Sequence, residues 1–182
     1  NISKKIAKLI GAEPDEIFVG DTTSLNLYKL IYSALNFQKG KNKIITDSLN
    51  FPSDLYVLEG MVNEHFKKHQ LEIIGKRDDV SIRSNIISES LDADTALLTL
   101  SLVTYKSSFL YDMKEVNEIA HAQNSLVLWD LSHAVGAVPI NLRESNADLA
   151  IGCTYKYLNG GPGAPAFLYV KKSLQSKMKN PI

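Results

Sequence analysis

TALLTLSLV, residues 95–103, carries no charge and no residue larger than leucine, with only small hydroxyls interrupting its apolar side chains. A short run of this kind is what a strand needs when both faces of a parallel sheet are covered. Strand-like and helical segments alternate on either side of it. Downstream, residues 112–123 read as a helix opened by an Asp112/Glu115 capping pattern. LVLW (126–129), DLAIGC (148–153) and AFLYV (166–170) then read as strands. Upstream, SKKIAKLI (3–10) reads as a short amphipathic helix and IFVG (17–20) as a strand. SLNLYKLIYSALNF (24–37) places Leu27, Leu30, Ile31, Ala34 and Leu35 on one helical face. KIIT (43–46), a helix from 52 to about 66, and LEII (71–74) follow, and the mixed, polar stretch 76–94 holds a short helix after Asn85. This alternation predicts an α/β domain of three layers, a mostly parallel sheet flanked by helices.

The bulk composition narrows the function. The chain has 182 residues, and its 20 Lys plus Arg equal its 20 Asp plus Glu. That balance leaves no basic footprint for nucleic acid or an anionic membrane. No apolar run approaches the roughly 20 residues of a spanning helix, and the start does not resemble a signal peptide. Cys153 is the only cysteine, so no disulfide framework exists, which suits a reducing cytoplasm. The first residue is Asn1 and the last five are MKNPI, so the chain is expected to be an incomplete piece of a longer protein.

Ligands of parallel α/β sheets bind beyond the carboxyl ends of the strands. Asp130 ends the strand LVLWD and is followed by His133. Alone, such an acid serves as a helix cap or a solvated loop residue, or as a carboxylate held to pair with a buried cation or a protonated heterocycle. Ser132 beside His133 does not make a hydrolase triad. Lys156 comes 26 residues after Asp130, one strand later, between Tyr155 and Tyr157. It is either a surface lysine between core tyrosines or an amine with a pKa lowered by desolvation, a nucleophile able to form a Schiff base. GDTTS (20–24) opens a helix whose first N–H groups are caps or an anion site; it lacks the spacing and the lysine of a Walker loop. NFPSD (50–54) offers a hydrophobic staple, or a ring stacked on a flat ligand with Ser53 and Asp54 adding hydrogen bonds. Together these segments describe a flat, phosphorylated heterocycle held through a Schiff base, which is pyridoxal phosphate. His65 and His69, in HFKKH, have the i, i+4 spacing of metal ligands but no third ligand nearby, so no metal site is expected.

FPSD, WDLSHAVGAVP, GCTYKYLNGGPG and TLSLVTYKSSFLYDM resemble the motifs of the kynureninases, pyridoxal-phosphate enzymes of the aspartate aminotransferase superfamily. The resemblance covers essentially the whole chain. It implies a transferase-like large domain spanning 1–182, with an N-terminal segment and a C-terminal small domain missing. In that reading Lys156 forms the Schiff base and moves the substrate's α proton, and Asp130 pairs with the pyridinium nitrogen. His133 lies near Asp130 and the ring, and Phe51 stacks on the ring. Thr23, Ser24 and Tyr155 hold the phosphate, with Tyr155 also placed to donate a proton, and Pro52, Ser53, Asp54 and Ser101 complete the pocket.

The implied reaction is hydrolysis of the β–γ carbon bond of L-kynurenine, or its 3-hydroxy derivative, in a cytoplasmic homodimer of the tryptophan catabolic and NAD biosynthetic route. Cysteine desulfurases and class-V aminotransferases are the alternatives. Desulfurases typically carry Gln where His133 stands and His where Tyr155 stands, and need a mobile cysteine, whereas Cys153 is expected to be buried and inert. Two departures from the kynureninase pattern stand out: Ser107-Ser108 replaces a Thr-Gly pair, and the arginine expected to hold the substrate carboxylate lies outside this chain.

Overall fold

The computed structural model describes residues 2–76 and 79–180; Asn1, residues 77 and 78 of the mixed stretch, and the last two residues lie outside the described residues. Seven strands form one sheet, β1 (Ile17–Val19), β2 (Lys43–Asp47), β3 (Gln70–Ile74), β4 (Thr95–Ser101), β5 (Leu126–Asp130), β6 (Leu149–Gly152) and β7 (Phe167–Val170). Their order is β1-β7-β6-β5-β4-β2-β3. Strands β2 to β6 run parallel, and only β7 opposes its neighbours β6 and β1. The mostly parallel α/β sheet expected from the alternation is therefore present.

Two apolar cores explain why the central strands read as unbroken hydrophobic runs. Along β5, Val127 and Trp129 point into one core while Leu126 and Leu128 point into the other. The first core receives α1 (Ile2–Ile10), α4 (Ser84–Ser90) and α5 (Met113–Ala122). The second receives α2 (Thr23–Phe37) and α3 (Pro52–Gly60), followed at the end of the chain by α6 (Lys172–Gln175). On α2, Leu27, Leu30, Ile31, Ala34 and Leu35 are all buried, as their spacing predicts. Each larger side chain among them contributes about 2 kcal/mol by leaving water.

The helix that begins at Pro52 is shorter than its periodicity suggests. After Gly60, a poor residue for a helix interior, it widens into a π turn, Met61–His65, closed by the Phe66 N–H on Met61 O at 2.9 Å. His69 falls in the next turn, packed edge-on against Phe66, whereas His65 reaches the Tyr28 hydroxyl at 3.4 Å. The two histidines do not share a helical face, so the ligand-like spacing in HFKKH has no geometric meaning.

Register decides what meets at the sheet's edge. Ser101 at the tip of β4 is paired with Asp130 of β5, and Asp130 with Ile151 of β6. The tips of three neighbouring strands are level, and the segments beyond them open into one space.

Candidate active site

That space is a cleft of about 340 Å³ lined by residues from four strand ends, including Thr23, Ser24, Phe51, Ser53, Asp54, Asp130, Tyr155 and Lys156. Lys156 and Asp130 thus face the same hollow.

The turn from β1 into α2 forms one wall. Asp21 adopts φ +59° and its carboxylate pairs with Lys29 at 2.7 Å. Thr22, not Thr23, is the N-cap: its hydroxyl accepts the Leu25 N–H at 3.2 Å. Thr23 and Ser24 occupy the first helical positions, where backbone N–H groups have no partner within the helix and the dipole favours negative charge.

Pro52 starts α3, its fixed φ suiting the first helical position. It also holds Phe51 extended, at φ −67° and ψ 137°. The Phe51 ring lies 5.0 Å from the Lys156 ammonium, with Tyr105 edge-on behind it at 5.2 Å. One turn into α3, Asp54 is only 3% exposed, and Ser53 Oγ donates to its carboxylate at 3.3 Å. Burial, and then the nearby Asp130 carboxylate, push the Asp54 carboxyl up to about 8.

Asp130 is 4% exposed and accepts the Ser132 N–H at 2.8 Å. Burial raises its pKa too, against the opposing pull of Ser132, His133 and Lys156. Two residues on, the Ser132 hydroxyl accepts the Cys153 N–H at 3.2 Å and ties the β5 tip to the β6 tip. Cys153 is buried, as expected, although it also lies on the cleft floor.

Beyond Cys153 the chain alternates. Tyr155 and Tyr157 are 48% and 51% exposed, while Lys156 turns inward between them. This arrangement is the reverse of a surface lysine between core tyrosines. The Lys156 amine lies 2.8 Å from His133 Nε2. Burial, then the adjacent Lys156, lower the His133 pKa and favour the neutral ring. A neutral ring accepting from the amine at Nε2 carries its own proton on Nδ1, which is buried and has no protein partner. The phenol of Tyr155, raised first by desolvation, keeps its proton. Gly136 makes room for this segment: at φ +85°, a Cβ there would stand 2.8 Å from Tyr157 O.

Three residues of the sequence-based set stand apart from the cleft wall. Pro52 acts through the backbone of Phe51, and His133 enters through its bond to Lys156. Ser101 does not line the cleft: its hydroxyl is given to Asn50 Oδ1 at 2.7 Å. Sequence reasoning missed Asn50, which looks like an ordinary loop asparagine before FPSD. It also missed Thr22, since three consecutive polar residues can each cap a helix and only geometry selects one.

The arrangement combines an inward amine, two buried carboxyls with raised pKa, a flat aromatic face and a helix N-terminus. A flat ring bearing an anionic group and a basic nitrogen fits all four.

Known proteins share both sequence and fold. The chain is 38% identical over 185 aligned positions to a kynureninase of Pseudomonas fluorescens, and 37% identical to one of Burkholderia mallei strain SAVP1. Each alignment takes in all of this chain and 43% of the relative, so the chain spans less than half the length of these proteins. Among solved structures, a cysteine desulfurase from Thermococcus onnurineus NA1 superposes with a TM-score of 0.84 at 21% identity, covering 100% of this chain and 44% of its own. A NifS-like protein gives 0.82 at 21% identity over 93% of this chain and 46% of its own. At that identity they share the fold alone. The sequence profile of the class-V aminotransferases matches residues 1–182 without a break. The chain belongs to the class-V aminotransferase family.

Proposed function

We propose that residues 1–182 form the cofactor-binding large domain of a pyridoxal-phosphate enzyme that hydrolyses L-kynurenine to anthranilate and L-alanine. One observation carries the reading: the Lys156 amine and the buried Asp130 carboxylate, from adjacent strand tips, line a single cleft. Identity of 37–38% to kynureninases across the whole chain favours this substrate over those of other class-V enzymes.

The residues fit the cofactor. The first turn of α2, with Thr23 and Ser24, and the Tyr155 phenol receive its phosphate. The Phe51 face receives its ring, and Asp130, with Asp54 beside it, receives the ring nitrogen. When bound, pyridoxal phosphate supplies an aldehyde that captures amines and a protonated ring that draws electrons from neighbouring bonds.

The protein does the rest. Lys156 would hold the cofactor, and its amine, when free, would move the proton at the substrate's α carbon. His133 Nε2, at 2.8 Å, is the acceptor that orients this amine. Asp130 gains from its burial: a positive ring nitrogen is a far better partner for a desolvated carboxylate than water-free surroundings are. Tyr155 retains its proton, and its ring lies 5.7 Å from the amine. The exposed Tyr155 ring, which lines the cleft, and the exposed Tyr157 two residues on support a homodimer with the cleft at the subunit boundary. We place the enzyme in the cytoplasm; among the described residues no helix is long and apolar enough to cross a membrane.

The test is a full-length parent protein mixed with L-kynurenine. Anthranilate fluorescence should appear, and borohydride should fix the cofactor's mass on Lys156. Lack of anthranilate from a protein that carries cofactor on Lys156 would reject the substrate. Cofactor fixed on another lysine would reject the site.

A further inference from the structure

We infer that Asn50 is a positioning residue for the cleft: braced by Ser101, it holds the Phe51 ring against the Lys156 amine. The inference rests on the cleft being a cofactor site.

The Asn50 side chain is 2% exposed and makes three hydrogen bonds. Its Oδ1 accepts from Ser101 Oγ at 2.7 Å and from the Phe51 N–H at 2.9 Å, and its Nδ2 donates to Thr46 Oγ1 at 3.1 Å. The Phe51 N–H can only donate, so the amide oxygen must face it, and the amide has one possible orientation. A turn asparagine commonly bonds the N–H two residues on, as the Asp47 carboxylate does to Leu49 at 2.9 Å. Two residues after Asn50 stands Pro52, which has no N–H. Asn50 therefore grips Phe51 itself.

The other end of the brace is the sheet. Ser101 is the last residue of β4 and pairs in register with Asp130. The loop that carries Phe51 is thus fastened to the row of strand tips that presents Asp130. Phe51 needs this. Its side chain is only half buried, and its ring neighbours are Tyr105 at 5.2 Å, edge-on, and His133 at 5.8 Å, tilted. Neither contact fixes where the backbone presents the ring, whereas Asn50 does.

The experiment uses the full-length protein and five variants: Ser101→Ala, Ser101→Thr, Asn50→Ala, Phe51→Ala and the double Asn50→Ala/Phe51→Ala. Pyridoxal phosphate affinity is measured by titrating stripped protein. The rate at which trinitrobenzenesulfonate labels Lys156 without cofactor is read from peptide masses. Asn50→Ala and Ser101→Ala should each weaken cofactor binding about tenfold, and the double variant should bind no worse than Phe51→Ala, because Asn50 acts through that ring. Ser101→Thr, which keeps the hydroxyl, should bind like the parent. Asn50→Ala should speed Lys156 labelling several-fold. Additive losses in the double variant, or variants that melt earlier yet bind and label normally, would overturn the inference. If the parent itself binds no pyridoxal phosphate, the cofactor reading fails separately and labelling alone decides: an unchanged rate sinks the brace.

Discussion

The two ends of the sheet use the same residue types in opposite ways. At the end where the parallel strands begin, charged groups find partners inside the protein. Lys41 donates to Thr95 O, Gln123 O and Asn124 O at 3.1, 2.8 and 2.8 Å. Lys43 sits between Glu72 and Asp92 at 2.8 and 3.1 Å. Asp148 accepts the Val127 N–H at 3.0 Å and pairs with His121 at 2.7 Å. At the end where those strands finish, Asp54 and Asp130 are buried and, among the described residues, no cation is hydrogen-bonded to either and His133 Nδ1 has no partner. Burial without partners costs folding energy. The charges at the first end are matched within the protein, although both His69 ring nitrogens there lack a partner among the described residues, whereas Asp54, Asp130 and His133 Nδ1 at the second are left for a ligand.

If that contrast is right, removing a charge at the cleft should damage function and spare the fold. Asp130→Asn keeps the shape and the acceptor for Ser132 but removes the carboxylate. Turnover of the full-length enzyme should fall about 100-fold or more, while the melting temperature of the cofactor-free protein holds or rises. Near-normal turnover would remove Asp130 from the ring nitrogen.

The mirror experiment is Asp148→Ala at the far end. It strands the Val127 N–H and leaves His121 without its partner. Stability should drop by about 3 kcal/mol in denaturant titrations, with cofactor affinity unchanged. A loss of affinity without a loss of stability would erase the distinction between the two ends.

A pH series sharpens the comparison further. The Asp54 carboxyl, ordinarily near 3.8, is raised to about 8 in the folded chain. The folded state therefore keeps a proton that the unfolded state releases. The stabilisation this brings is complete below the unfolded value and is lost as pH rises through the folded one. The cofactor-free protein should weaken across that window, and Asp54→Asn should flatten the decline. Some slope should persist, because burial raises Asp130 and also Asp47, the latter to about 6. An unchanged slope in Asp54→Asn would mean that Asp54 ionises as if in water.

Much of this was legible in the chain itself, for definable reasons. The strands β4, β5 and β6 are covered on both faces, so their sequences are mostly apolar and uncharged up to the tip, and their tips can be located to within two residues. Asp130 and Lys156 follow from those tips. Side-chain direction is harder to read. Ser101 stands at a strand tip like Asp130, yet its hydroxyl is taken by Asn50, fifty-one positions earlier, and it does not line the cleft. The π turn after Gly60 depends on Met61 being drawn into the second core, a tertiary effect that helical periodicity does not carry.

The loop after β4 gives the smallest and cleanest test. Its Ser107-Ser108 pair departs from the Thr-Gly of the resembling family, yet the loop closes: Ser108 N–H reaches Thr104 O at 3.0 Å, and Thr104 N–H reaches Phe109 O at 3.0 Å. Ser107 Oγ contacts Thr104 Oγ1 at 2.7 Å, a bond that a threonine hydroxyl makes equally well. Ser108 has φ +57°, a left-handed backbone that suits glycine. A side chain there costs about 1 kcal/mol, and the greater freedom of glycine in the unfolded chain offsets part of that gain. Ser108→Gly should therefore stabilise the protein by about 0.5 kcal/mol and raise its melting temperature by about 1–2 °C. Ser108 is not among the residues that line the cleft, so cofactor affinity should not move. A fall in melting temperature would mean that the serine carries a contact worth more than the strain it bears.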